Sequence, residues 1–173
     1  QTEIHDAAQV KRLVAATLDK FGHIDVLINN ASVWLKSPLL DISEADWDLA
    51  LDVNLKGPFL CAQAVAPIML AQGGGLILNI TDLSAFQVWP GYAHHAASKA
   101  GLVSLTKSLA VEWARHKIYV NAISPGYCRT PGNAARSDNP AIRAIRVDQG
   151  IIKRYGQAYE DLAAPLGRWL ASL

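Results

Sequence analysis

His95 and Lys99 lie four residues apart in a stretch, Gly91 to His116, that reads as a long helix, so their side chains share one face. An imidazole beside an ammonium is a proton-transfer pair. Histidine exchanges its proton near its reference pKa of about 6.5. The ammonium would depress that value, and a nearby carboxylate would raise it. Asp82, thirteen residues before His95, offers such a carboxylate. A carboxylate accepts hydrogen bonds and donates one only when protonated. Asp82 would therefore meet a substrate oxygen as an acid, or accept from an amino-bearing ring. The plainer reading is a strand-end Asp capping the next loop. Tyr92 shares the face of His95 and brings a hydroxyl to the helix entrance. Ser84 is a spare hydroxyl near Asp82. His94 points about 100° away from His95 and is expected at the surface.

Other polar and aromatic residues need a reason. Asn54 stands between Val53 and Leu55 in an apolar helix, where an amide needs partners. It is either a satisfied core Asn or part of a site. Trp34 and Trp89 fall in loops after strand ends, where they would stack on a flat substrate ring or act as lids on the core. Trp113 sits inside the second long helix and is expected to pack.

The elements that must position these residues follow from periodicity. Asp6 to Phe21 reads as an amphipathic helix on Val10, Leu13, Val14 and Leu18, closed by Gly22. Ile24 to Ile28 reads as a strand buried on both faces. Ser43-Glu44-Ala45-Asp46 is a capping box opening a helix to Gln72, stopped by Gly73-Gly74-Gly75. Leu76 to Ile80 and Tyr119 to Ile123 are further strands. Residues 131–173 read as two weaker helical stretches joined by loops. Strand and helix alternate, with crossovers long enough for parallel pairing. The predicted fold is a doubly wound α/β sheet, one domain over 1–173, in which ligands bind beyond the carboxyl ends of the strands. Asn29-Asn30-Ala31, Thr81-Asp82 and Pro125-Gly126 follow the three strand ends.

Composition narrows the class. Hydrophobic content of 51% with 18% charge is that of a globular chain. A net charge of +1 offers no basic footprint for nucleic acid. The apolar runs are broken well before membrane-span length, so no membrane partner is expected. Two distant cysteines, Cys61 and Cys128, suggest a reducing, cytoplasmic setting. No metal-ligand spacing stands out, so the metal expectation is none.

Taken together and in order, NNAS at Asn29–Ser32, the segment Leu76–Leu102, and NAISPGYCRT at Asn121–Thr130 resemble the short-chain dehydrogenase/reductase family. The resemblance covers nearly the whole chain. It implies hydride transfer between NADP or NAD and a carbonyl, alcohol or imine of a small molecule. It places His95 where the family has its catalytic Tyr and Asp82 where it has Ser. Lys99 would then bind the nicotinamide ribose and tune the acid. Asn54 would hold a water of the proton relay. Asn29, Asn30, Ala31 and Ser32 match the family's Asn-Asn-Ala-Gly beside the cofactor, with Ser32 departing from Gly. Pro125, Gly126 and Thr130 match its contact to the nicotinamide carboxamide, and Glu3 stands where an Asp lies beside the adenine. Trp34, Trp89 and Tyr92 are the substrate candidates. Asp82, together with NNASVW and Ser43–Trp47, is similar to the pteridine-reductase subgroup.

The resemblance also implies a partial Rossmann fold. The family's first strands, its Gly-rich phosphate turn and its last strand have no counterpart here. The expectation is a fragment that leaves an apolar strand edge at Ile24–Ile28 and binds cofactor weakly by itself. Family members pair through two long helices, here Ser43–Gln72 and Gly91–His116, which implies a homodimer or homotetramer. With both the Ser and the Tyr positions changed, two readings stay open: an oxidoreductase, or a non-catalytic binding or oligomerisation module.

Overall fold

The computed structural model describes residues 1–129, 134–140 and 156–157. The chain forms two compact units, Gln1–Ser124 and Pro125–Leu173.

The first unit is built on three parallel strands, β1 (Val26–Asn29), β2 (Gly75–Ile80) and β3 (Ile118–Ile123), in the order β1-β2-β3. Helix α1 (Ala7–Phe21) precedes β1. Helices α2 (Glu44–Leu51) and α3 (Gly57–Gln72) link β1 to β2, and α4 (Ala93–Trp113) links β2 to β3. Parallel neighbours need such crossovers, so the alternation read from sequence and the sheet observed are one statement.

Local chemistry sets the helix ends. Asp6 caps α1, accepting from the amides of Ala8 and Gln9 at 2.8 and 3.2 Å. Gly22 closes it at φ 79°, a left-handed conformation that glycine adopts without a Cβ penalty. Ser43 caps α2 by accepting from the Asp46 amide at 3.1 Å, and its hydroxyl donates to Asp46 Oδ2 at 2.8 Å. Gln72 donates to the Ile24 carbonyl and accepts from the Ile24 amide, both at 3.0 Å, tying the end of α3 to the approach of β1.

Register decides the two sheet faces. Leu27, Ile77 and Val120 stand side by side on one face. They join Val65 and Met69 of α3, Leu109 of α4 and Val14 of α1 in the core, and Trp113 packs there as expected. Val26 and Tyr119 flank Leu76 on the opposite face and are 38% and 60% exposed. The strand predicted as buried on both faces is therefore open on one, with Ile28 also 42% exposed. Among the described residues β1 pairs only with β2, which leaves it at the sheet edge.

The first long helix differs from expectation. It runs from Glu44 to Gln72, but residues Asp52–Lys56 form a π-helical turn around Asn54. Such turns insert one residue per coil and often mark functional sites. The run is also long and apolar enough to cross a membrane by length and composition, which the broken apolar runs had not suggested. Half of its apolar window is buried within the fold, and Cys61, Ala62, Val65, Ala66 and Met69 face the core, so it reads as a core helix. Close packing holds the turn: a Cβ on Gly101 of α4 would lie 2.8 Å from Leu55 Cδ2.

In the second unit, β4 (Cys128–Arg129) pairs in parallel with β5 (Gly156–Gln157), and a short helix α5 spans Ala134–Ser137. Residues 156–157 are thus extended. Arg129 makes a bidentate ion pair with Asp138, both contacts at 2.8 Å.

Candidate active site

Two strands, β1 and β2, end at the carboxyl edge of the sheet and α4 begins there, which brings the chemistry together. β2 ends at Ile80, and Asp82 follows in extended backbone as the cap of a short 3₁₀ turn, Leu83–Ala85. Its Oδ1 accepts from the Ser84 amide at 2.7 Å and from the Ser84 hydroxyl in a short contact. Its Oδ2 accepts from His95 Nε2 at 2.6 Å. One oxygen thus fills the loop-capping role weighed for Asp82, and the other holds His95. Ser84, the spare hydroxyl, is buried and committed to Asp82.

Burial alone would push the Asp82 carboxyl up, but hydrogen bonds from His95 and Ser84 outweigh it and hold the group below the usual carboxylate range. Asp82 is thus ionised at neutral pH and accepts only. Meeting a substrate oxygen as a protonated acid, one option read from the sequence, does not fit this state.

His95 is 1% exposed. Its Nδ1 faces the Val33 carbonyl at 3.2 Å and Asn54 Nδ2 at 3.4 Å. Trp34 covers the ring edge-on, centroids 4.2 Å apart, and Tyr92 lies 4.9 Å from Trp34. Tyr92 immediately precedes α4 and is buried, whereas Trp34 is 55% exposed. Trp89, half-buried, sits in the loop between Asp82 and α4.

Lys99 is 4% exposed and donates from Nζ to the Ile80 carbonyl at 3.0 Å. Burial pushes its ammonium pKa down, and Asp82 opposes that. Two ammonium hydrogens are left without an acceptor among the described residues.

Asn54 is fully buried in the π-helical turn and saturated. Its Oδ1 accepts from Ser32 Oγ at 3.0 Å and the Val33 amide at 2.8 Å. Its Nδ2 donates to the Val33 carbonyl and Ser98 Oγ, both at 3.1 Å. Both lone pairs and both hydrogens of the side-chain amide are used. Its observed role is to clamp the loop after β1 onto α4, beside His95.

Two partners escaped the sequence reading. Ser98 is buried, accepts from Asn54 and donates to the His95 carbonyl at 2.7 Å. Asn79 accepts from Asn29 Nδ2 at 2.8 Å and donates to Thr106 at 2.9 Å, a buried amide chain from β1 to α4. A polar residue amid Leu76–Ile80 was the available signal for Asn79. Asn29 is consumed in that chain, whereas Asn30, Ala31 and Ser32 are exposed beyond β1. Glu3 is exposed, with its amide on the Gln9 side chain at 3.0 Å. Pro125 and Gly126 open the second unit, and Thr130 lies outside the described residues.

His94 corrects an expectation. It was placed at the surface but is fully buried, and neither ring nitrogen has a hydrogen-bond partner among the described residues. An unpaired buried polar group costs about 1–3 kcal/mol, and an apolar replacement of similar shape removes that cost. His94→Leu is therefore expected to raise the melting temperature by roughly 2–4 °C, for about 1 kcal/mol. A lower melting temperature for the variant would show that the imidazole is satisfied in solution.

Comparison with known proteins extends the picture. A protein-family model described as enoyl-(acyl carrier protein) reductase matches residues 1–172. A 3-oxoacyl-[acyl-carrier-protein] reductase of Synechocystis is 38% identical over 172 residues, 99% of this chain and 67% of its own length. The protein of that name from Thermotoga maritima is 41% identical over 128 residues, 74% of this chain and 52% of its own length. The crystal structure of a gluconate 5-dehydrogenase from Burkholderia cenocepacia, in complex with NADP and tartrate, superposes with a TM-score of 0.85 at 35% identity. It covers 93% of this chain and 63% of that one. The chain spans about two thirds of the length of the first of these relatives, and less of the others.

Proposed function

Because this chain belongs to the short-chain dehydrogenase/reductase family, we propose that it forms the catalytic region of an NADP- or NAD-dependent oxidoreductase acting on a small molecule. The observation that carries this reading is the convergence of Asp82, His95 and Lys99 at the carboxyl edge of the parallel sheet. The relatives described above carry the names of enzymes, which supports this reading over the binding-module alternative.

The residues present fit a nicotinamide cofactor on one point of chemistry. Lys99 is a buried ammonium with two unspent donors, suited to the hydroxyls of a ribose. Asn30 and Ala31, exposed beyond β1, would flank the cofactor; Pro125, Gly126, Thr130 and Glu3 are further candidates on the family pattern. When bound, the nicotinamide takes up or gives the hydride. The Asp82–His95 pair handles the accompanying proton, and general acid–base help of this kind is worth about 10²–10⁴ in rate. Trp34, with Tyr92 behind it and Trp89 in the following loop, would line the substrate side. The ionised Asp82 and these aromatic rings support a flat ring bearing an amino or imino group, as in the pteridine-like reading. Exposed Phe59 and Leu70 on α3 and Val111 on α4 support subunit contacts along the two long helices.

The test is a pair of measurements on the full-length protein. NADPH and NADH binding is followed by fluorescence, and turnover is assayed against pterins, cyclic imines, ketones and secondary alcohols across pH 5 to 9. Cofactor binding with turnover of at least one class is expected. Tight cofactor binding with no turnover of any class would favour the binding module.

A further inference from the structure

We infer that Asp82 Oδ2 is the atom that meets the substrate's exchanging proton, and that His95 is its positioning residue. The inference rests on the oxidoreductase reading above and assigns the work within that site.

The geometry argues against direct action by His95. Its Nε2 is held by Asp82 at 2.6 Å and its Nδ1 faces the Val33 carbonyl at 3.2 Å. Trp34 covers the ring edge-on, and the side chain is 1% exposed. To reach a substrate atom, His95 would have to give up one of these partners. Asp82 stands in front of it, with 23% of its side chain exposed.

A carboxylate has about four lone-pair positions. On Oδ1, two are filled by the amide and hydroxyl of Ser84. On Oδ2, one is filled by His95. Among the described residues a single position remains, on Oδ2. An ionised carboxylate only accepts, so the group that docks there must carry an N–H or O–H. The substrate class is therefore a hydrogen-bond donor: a secondary alcohol, or an amine whose nitrogen bears hydrogen. In the oxidative direction the O–H or N–H bond breaks and its proton passes to Oδ2. The carbon–hydrogen electron pair leaves as hydride by the nicotinamide chemistry stated above, and a C=O or C=N bond forms. In the reverse direction Asp82 must first take up a proton from solvent on Oδ2, and it gives that proton to the heteroatom as the hydride arrives at carbon. His95 acts by fixing the Asp82 rotamer and by holding the carboxyl ionised until it takes the proton.

The test uses the full-length protein and begins without any substrate. Diethyl pyrocarbonate acylates free imidazole nitrogens, and mass spectrometry of the peptides reads each histidine. His95 is expected to resist labelling at conditions that label the exposed His23 and His116, and to become reactive in Asp82→Ala. Labelling of His95 at the rate of His23 in the unaltered protein would overturn the assignment, because Nε2 would then be available to a substrate. The second arm compares pH profiles with secondary alcohols and NADP⁺ or NAD⁺, and with cyclic imines and NADPH. Asp82→Asn is expected to lower kcat/KM by about 10²-fold or more. His95→Gln, which keeps a donor for Oδ2, is expected to stay within about tenfold. His95→Phe, which removes the donor, is expected to move the acidic limb of kcat/KM upward, and Gln is expected to restore it. If His95→Gln falls as far as Asp82→Asn while cofactor binding is unchanged, the assignment fails and His95 touches the substrate. If the unaltered protein binds neither NADPH nor NADH, the oxidoreductase reading itself fails.

Discussion

Asp82→Ala is expected to destabilise the folded protein by about 3 kcal/mol, because buried donors left unpaired cost about 1–3 kcal/mol each. For a chain of this size that is roughly 6–12 °C in melting temperature. Two losses combine. His95, 1% exposed, is left facing a void at Nε2, and the Ser84 amide and hydroxyl lose their acceptor at the start of the 3₁₀ turn. The pH dependence has a defined sign. The native carboxyl is held below its unfolded value of about 3.9, so its stabilisation is fully present above that value and is lost as pH falls through the native one. The stability gap between the unaltered protein and the variant should therefore be widest near neutral pH and close on acidification below about pH 4. Urea unfolding at pH 7, 5 and 3 measures it. A gap that stays constant across those values would show that Asp82 does not stabilise as a carboxylate.

Asn54→Ala is expected to cost a similar amount, about 3 kcal/mol, by a different route. Four bonds converge on this amide, and its removal leaves the Val33 amide and carbonyl and Ser98 without their partner. Each buried group left unpaired costs about 1–3 kcal/mol, and those able to reach water cost less. The loop carrying Ser32, Val33 and Trp34 loses its clamp, so amide exchange at Val33 should accelerate and the Trp34 packing on His95 should loosen. Asn54→Asp keeps the acceptor at Oδ1 but loses both Nδ2 donors, so it should not rescue. Melting and hydrogen exchange together read the effect. A variant that melts within about 2 °C of the unaltered protein, with unchanged exchange at Val33, would show that the four bonds are not the loop's anchor.

Much of the fold was legible because it rests on local rules. The cap at Asp6, the left-handed Gly22, the capping serine Ser43 and the apolar runs of β2 and β3 specify their own ends, whatever they pack against. Alternating strands and helices then leave a parallel sheet as the economical solution. Burial of β1 was not legible, since whether Val26 and Ile28 are covered depends on what lies across the sheet face, which β-branched composition does not encode.

The site divides along the same line. Spacing alone put His95 and Lys99 on one helical face, and placed Asp82 at a strand end thirteen residues before His95. Only the tertiary structure decided what those residues do to one another. It turned Asp82 Oδ2 onto His95 Nε2, saturated the Asn54 amide from the loop after β1 and from Ser98 of α4, and buried His94 beside His95. The reason is physical. A helix or strand is specified by hydrogen bonds and steric limits within a few residues, whereas the state of a carboxyl or an imidazole depends on which donors, acceptors and apolar walls the fold brings within about 3–4 Å.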